Sequence, residues 1–73
     1  MEQYMHRLRG LREDRDKTQQ DIADVLGISQ TMYARYERCA NELPLRHFVL
    51  LCKYYRVSAD VVLGLTAKNN KKT

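Results

Sequence analysis

Along most of this chain apolar residues recur at intervals of three and four, and only one proline and three glycines interrupt them in 73 residues. That period belongs to a helix, because 3.6 residues per turn brings positions three and four apart onto one face. The spacing therefore predicts an all-α fold. A chain this short hides only about 60% of the surface its unfolded form exposes. A deep substrate cleft would take too much of so small a core, so binding is favoured over catalysis and no enzyme is expected. With 44% hydrophobic and 30% charged residues, the composition is that of one folded globular domain. The longest apolar runs, residues 48–52 and 61–63, fall far short of the roughly 20 residues that cross a bilayer. Residues 1–7 contain no apolar stretch of signal-peptide length. The chain is expected in the cytoplasm, without a membrane partner.

The periodicity resolves into five helices forming a compact bundle. Tyr4, Leu8 and Leu11 share one face of a first helix over about residues 2–14, and residues 13–17 contain no apolar side chain and form its end and a connection. Thr18 offers a helix cap, with Asp21 placed three residues later to complete a capping box. Ile22, Ala23, Val25 and Leu26 give the second helix a narrow apolar face, and Gly27 can take the left-handed conformation that closes it. Ser29 caps a third helix, ending near Glu37 or Arg38, whose Tyr33 and Tyr36 point inward, and Ile28 is placed to staple against Tyr33. Residues 39–43 lack periodicity and read as a loop. Pro44 is expected in the first turn of a fourth helix. Its buried stripe is read as Leu45, Phe48, Leu51, Cys52 and Tyr55, with Arg46, His47 and Lys53 outside it. Ser58 caps a short last helix, stapled by Val57 and Val62, and residues 64–73 are expected to fray.

Two cysteines cannot staple a scaffold, and Cys39 and Cys52 lack CxxC spacing, so both are expected as thiols, one in a loop and one in the core. A zinc site from Cys39, His47, Cys52 and His6 matches no usual ligand spacing. No cofactor, metal or small-molecule ligand is expected, and neither histidine has the neighbours of a catalytic group.

The informative unit is the pair of short helices joined at Gly27-Ile28-Ser29. Small Ala23 allows the third helix to cross close over the second. The third helix then leaves Gln30, Thr31, Ala34 and Arg35 outward. These side chains suit the major groove: Gln pairs bidentately with adenine, Arg with guanine, and Thr or Ala meets the thymine methyl. On an arbitrary helix such a face is ordinary solvated surface. Here residues 8–63 resemble the phage-repressor and Cro type of helix-turn-helix domain, the xenobiotic-response-element family. The resemblance is carried by Leu11-Arg12-Glu13, Thr18-Gln19, Ile22-Ala23, Gly27-Ile28-Ser29, Tyr36-Glu37-Arg38 and Pro44 in that order.

That resemblance implies a lambda-repressor-like five-helix fold that binds double-stranded DNA, with Gln30, Thr31, Ala34 and Arg35 reading bases. It implies that Gln19 touches the backbone and braces a base-reading side chain, with Thr18, Ser29, Arg38 and Asn41 also at phosphates. It implies a structural salt bridge between Arg12 and Glu37; helical spacing alone would equally allow Arg12 to pair with Asp16. Arg7, Arg9 and Arg15 read as a charged outer face, with Arg9 and Glu13 at i,i+4. The tyrosines, including Tyr54 and Tyr55, read as core rather than as stacking platforms for single strands. The chain departs from the family at Cys39, where glycine is usual, so the loop either takes another path or accepts a strained residue. Glu42 stands where a basic residue is common and should weaken phosphate contact.

The expected function is sequence-specific transcriptional regulation, as a repressor that occupies a palindromic operator as a homodimer, with half-sites roughly 34 Å apart. Val61, Val62, Leu63 and Leu65 are the candidate dimer interface. The rival is a protein-interaction module, an antitoxin or adaptor, built on the same fold. The net charge of +4 does not decide between them, because Lys68, Lys71 and Lys72 leave ten basic against nine acidic residues in 1–63. The chain thus divides into a domain, residues 1–66, and a basic flexible tail, residues 67–73, able to add nonspecific attraction to DNA.

Overall fold

The computed structural model describes residues 3–65. Those residues form five helices and no strand: α1 (Gln3–Asp14), α2 (Gln19–Leu26), α3 (Gln30–Glu37), α4 (Leu45–Tyr55) and α5 (Ala59–Leu63). The described residues form an all-helical fold, as the spacing predicts. Residues 67–73, read as a basic tail, lie outside the described part, and no helix within it is long and apolar enough to cross a membrane.

Local chemistry sets the helix ends. Thr18 Oγ1 accepts from the backbone N–H of Asp21 at 3.0 Å while Asp21 Oδ2 accepts from the Thr18 N–H at 2.9 Å. These reciprocal bonds satisfy two amide groups that the first turn of α2 would leave unpaired, and a cap of this kind is worth about 1 kcal/mol. Ser29 Oγ does the same for the Met32 N–H of α3, and Ser58 Oγ for the Asp60 N–H of α5. Gly27 adopts φ 73°, and the following Ile28 N–H returns to the Ala23 carbonyl. That left-handed closure turns the chain from α2 into α3 across three residues, Gly27 to Ser29.

The core gathers Met5 and Leu8 of α1, Ile22, Ala23 and Leu26 of α2, Tyr33 and Tyr36 of α3, Phe48, Leu51, Cys52 and Tyr55 of α4, and Val62 of α5. Ala23 is fully buried, so α3 can cross close over it. Ile28, Val57, Tyr4 and Leu11 pack partly buried around this cluster. Both cysteines are free thiols, Cys39 exposed and Cys52 buried.

Several details differ from the periodic reading. Pro44 does not begin the helical turn. It stands at the cap in extended conformation, ψ 148°, with its carbonyl accepting from the N–H groups of His47 and Phe48. Leu43, in the segment read as loop, is buried and pins the entry to α4. The buried face of α4 is centred nearer Leu51 and Tyr55 than expected. Leu45 consequently lies at the surface, 74% exposed, while His47 turns inward against the Tyr36 ring, 6.1 Å between centroids. Tyr54 is also at the surface and packs edge-on against Tyr55. Gly64, expected to fray, closes α5 at φ 74°, and the Leu65 N–H reaches back to the Asp60 carbonyl.

Two arginines read as outer-face charges instead finish helix ends. Arg7 donates to the Val62 carbonyl at 3.0 Å. Arg15 donates to the Tyr55 carbonyl at 3.1 Å and lies over the Tyr55 ring. Each places a cation on carbonyls at the negative end of a helix, which the partial charges there favour.

Candidate nucleic-acid interface

The pair α2 and α3 presents one continuous polar face. Gln19 and Gln30 are the first residues of their helices, which brings the two side chains together above the turn. Gln30 Nε2 donates to Gln19 Oε1 at 2.6 Å, and Gln19 Nε2 donates to Glu37 Oε1 at 2.9 Å. Next to Gln30, exposed Thr31 continues the face, and one turn along α3 half-buried Ala34 and exposed Arg35 follow. Arg35 Nε donates to Asn41 Oδ1 at 2.7 Å. This bond orients the guanidinium while leaving both of its NH2 ends for a planar acceptor pair such as guanine O6 and N7.

Behind that face lies a saturated carboxylate. Glu37 Oε2 accepts from Arg12 Nε at 2.7 Å and from the Tyr33 hydroxyl at 2.7 Å, while Oε1 accepts from Arg12 Nη2 at 3.1 Å and from Gln19. All four acceptor positions of the carboxylate are therefore filled. Burial alone would raise its pKa, but the bonds from Arg12, Gln19 and Tyr33 outweigh burial and hold Glu37 below its ordinary value. The same burial, and then the bond to Glu37, push the Tyr33 hydroxyl well above the normal tyrosine range. Arg12 makes no bond to Asp16; its remaining Nη1 donates to the Lys17 carbonyl, tying the end of α1 to the start of α2 as well as to α3.

A shallow depression opens between α1, α2 and α3, lined by Arg9, Gln19, Ala34, Glu37 and Arg38. Two guanidinium groups border it. Thr18 and Ser29 stand at the adjoining helix starts, and each hydroxyl oxygen already accepts a capping bond, leaving its proton to donate outward. Such a surface, with the positive end of the α2 dipole at Gln19 beside it, suits phosphate oxygens. Arg9 is the residue sequence reasoning missed. It does pair with Glu13 at 3.0 Å, yet it also borders the depression, because it lies one turn before Arg12 and Arg12 faces α3. The i,i+3 relation of the two arginines was the available signal.

Cys39, just past α3, sits at φ 62°. The loop thus keeps a glycine-like geometry and accepts strain, and its N–H still closes onto the Tyr36 carbonyl. Of the four apolar residues offered as an interface, Val61, Leu63 and Leu65 are exposed, but Val62 is buried in the core and cannot serve.

Helices of this length, set in this order around a glycine turn with a polar outer face on α3, define a lambda-repressor-like helix-turn-helix domain. The helix-turn-helix family model, of the Cro/C1 type, matches residues 8–62, and the chain belongs to that family. It is 40% identical over 63 residues to a protein of Bacillus subtilis (strain 168) named the uncharacterized HTH-type transcriptional regulator YobD. The matched region is 86% of this chain and 56% of that relative's length. No solved structure matches the chain.

Proposed function

We propose that this protein is a transcriptional regulator that binds double-stranded DNA sequence-specifically and represses by occupying its operator as a homodimer. The carrying observation is the outward face of α3, where Gln30 is fixed by Gln19 and Arg35 by Asn41 with their base-pairing edges free. Gln30, Thr31, Ala34 and Arg35 read bases. Thr18, Gln19, Ser29, Arg38 and Asn41 meet the backbone. The helix-turn-helix relative named as a transcriptional regulator supports the regulatory role.

One module reads only a few base pairs, so affinity requires a second copy on a palindromic site. Exposed Val61, Leu63 and Leu65 at the α5 end are the surface on which the two copies meet. Residues 1–66 form the reading domain, and the basic residues of 67–73 add salt-sensitive attraction to DNA of any sequence.

Selection of bound fragments from random duplex DNA tests the reading, and a palindromic consensus is the expected result. Gln30→Ala and Arg35→Ala each lose about 1–3 kcal/mol of specific binding, at different base pairs. Arg38→Ala weakens binding to all sequences and lowers the salt slope by about one unit. Recovery of no consensus, with both α3 variants binding as wild type, would overturn the proposal in favour of a protein partner. Sedimentation that finds only monomer, with and without operator, would remove the homodimer.

A further inference from the structure

The hydrogen-bond chain from Arg12 to Gln30 has a direction. A carboxylate only accepts, so Gln19 must turn its NH2 group toward Glu37. The Gln19 carbonyl then faces Gln30, and Gln30 must answer with its own NH2 group. A side-chain amide has nearly the same shape in either flip, so packing does not choose between the two. Here the choice is made two hydrogen bonds away, by a carboxylate whose side chain is only 4% exposed.

The result is an ordered recognition edge. Gln30 spends one N–H on Gln19, leaving a carbonyl oxygen and a second N–H side by side. That pair matches adenine, which donates from N6 and accepts at N7. The flipped amide would offer donor and acceptor in the reverse order along the groove, and guanine presents two acceptors in place of one of each. We infer that Glu37 is a specificity-setting positioning residue: its carboxylate fixes the amide polarity of Gln19 and, through it, of Gln30, so that Gln30 distinguishes A·T from T·A at one base pair. Arg12 and the Tyr33 hydroxyl take part by holding the carboxylate in place. The inference rests on α3 as the base-reading helix, and its first test needs no DNA.

In the free protein, the side-chain amide proton and nitrogen resonances of Gln19 and Gln30 are compared among wild type, Glu37→Gln and Gln19→Met. Glu37→Gln lets position 37 present either end of an amide, so the Gln30 resonances shift although residue 37 does not touch Gln30. Gln19→Met keeps the Arg12, Glu37 and Tyr33 bonds and breaks only the link, which keeps the test open if Glu37→Gln fails to fold. Gln30 resonances that stay in place in Gln19→Met, and in Glu37→Gln where it folds, overturn the relay. On duplex DNA, both variants bring the preference for A·T over T·A at the Gln30 base pair toward parity, a loss of about tenfold, while preference at the Arg35 base pair is kept. Equal weakening at every base pair would make Gln19 and Glu37 merely structural or phosphate-binding and overturn the inference. Wild-type protein without base preference at any position would overturn the base-reading role of α3, with the relay still decided by the resonances.

Discussion

Two arginine–glutamate pairs lie one turn apart along α1, and they belong to different physical regimes. Arg9 and Glu13 meet at 3.0 Å at the outer edge of the helix, each side chain about half exposed. Arg12 and Glu37 meet at 2.7 Å in the seam between α1 and α3, with side chains 12% and 4% exposed. The ion types are the same, but water screens one pair and is nearly excluded from the other. An exposed pair of this kind contributes at most about 1 kcal/mol. In the seam each charge depends on the other, because a stranded buried charge costs far more than the pair itself gains. That dependence lets a single carboxylate position α1, α2 and the first residue of α3 together.

The largest expected effect separates the two regions directly. Arg12→Met strands Glu37 and lowers the unfolding free energy by about 3–5 kcal/mol, measured by urea denaturation at neutral pH. A loss below 1 kcal/mol would place both pairs in the same regime. Acid offers a second separation. Both Glu37 and His47 are held below their ordinary pKa, Glu37 by its bonds from Arg12, Gln19 and Tyr33 against burial, His47 by burial and then by Arg46. For each, the unfolded chain takes up a proton before the folded one, so stability is complete above the unfolded value and declines as pH falls. Loss therefore starts below about pH 6.5 through His47 and gains the Glu37 contribution below about pH 4.3. His47→Gln flattens only the first part of the curve, and Arg9→Ala changes neither. Flat stability from pH 7 to 3 would sink the argument.

Smaller effects sharpen the contrast at the far end of α3. Cys39→Gly relieves the left-handed strain at φ 62° and adds about 0.5–1 kcal/mol, the strain released less the extra freedom of the unfolded glycine. Thermal unfolding of the variant checks the sign. Arg9→Ala changes folding stability by less than about 0.5 kcal/mol, the smallest effect and the counterpart of Arg12→Met.

The fold was legible where the signals were local. The capping box at Thr18 and Asp21, the Ser29 cap, the left-handed Gly27 and the inward Tyr33 and Tyr36 all follow from residue types within a few positions of one another. Expectation and structure part where a helix meets its neighbours. Leu45 and His47 exchange the expected places because the buried face of α4 is set by what it packs against, and the Tyr36 ring of α3 lies beside the imidazole at a tilt. Val62 is core for a similar reason: α5 is only five residues long and turns one valine against α1 and α4, while Val61 and Leu63 face out. Arg7 and Arg15 look like solvated charges until the carbonyl ends of α5 and α4 are brought beside them.

The sequence by itself determined an all-helical domain, the caps at Thr18, Ser29 and Ser58, the turn at Gly27, and which residues α3 presents outward, because each depends on periodicity and on backbone chemistry within one or two turns. Only the tertiary structure decided how those residues are held. Arg12 and Glu37 are 25 positions apart, and the seam that joins them, excludes water and orders the Gln19 and Gln30 amides exists only once α1, α2 and α3 have packed. Hydrogen-bond direction is a property of that assembled chain of donors and acceptors, and no spacing rule along the sequence contains it.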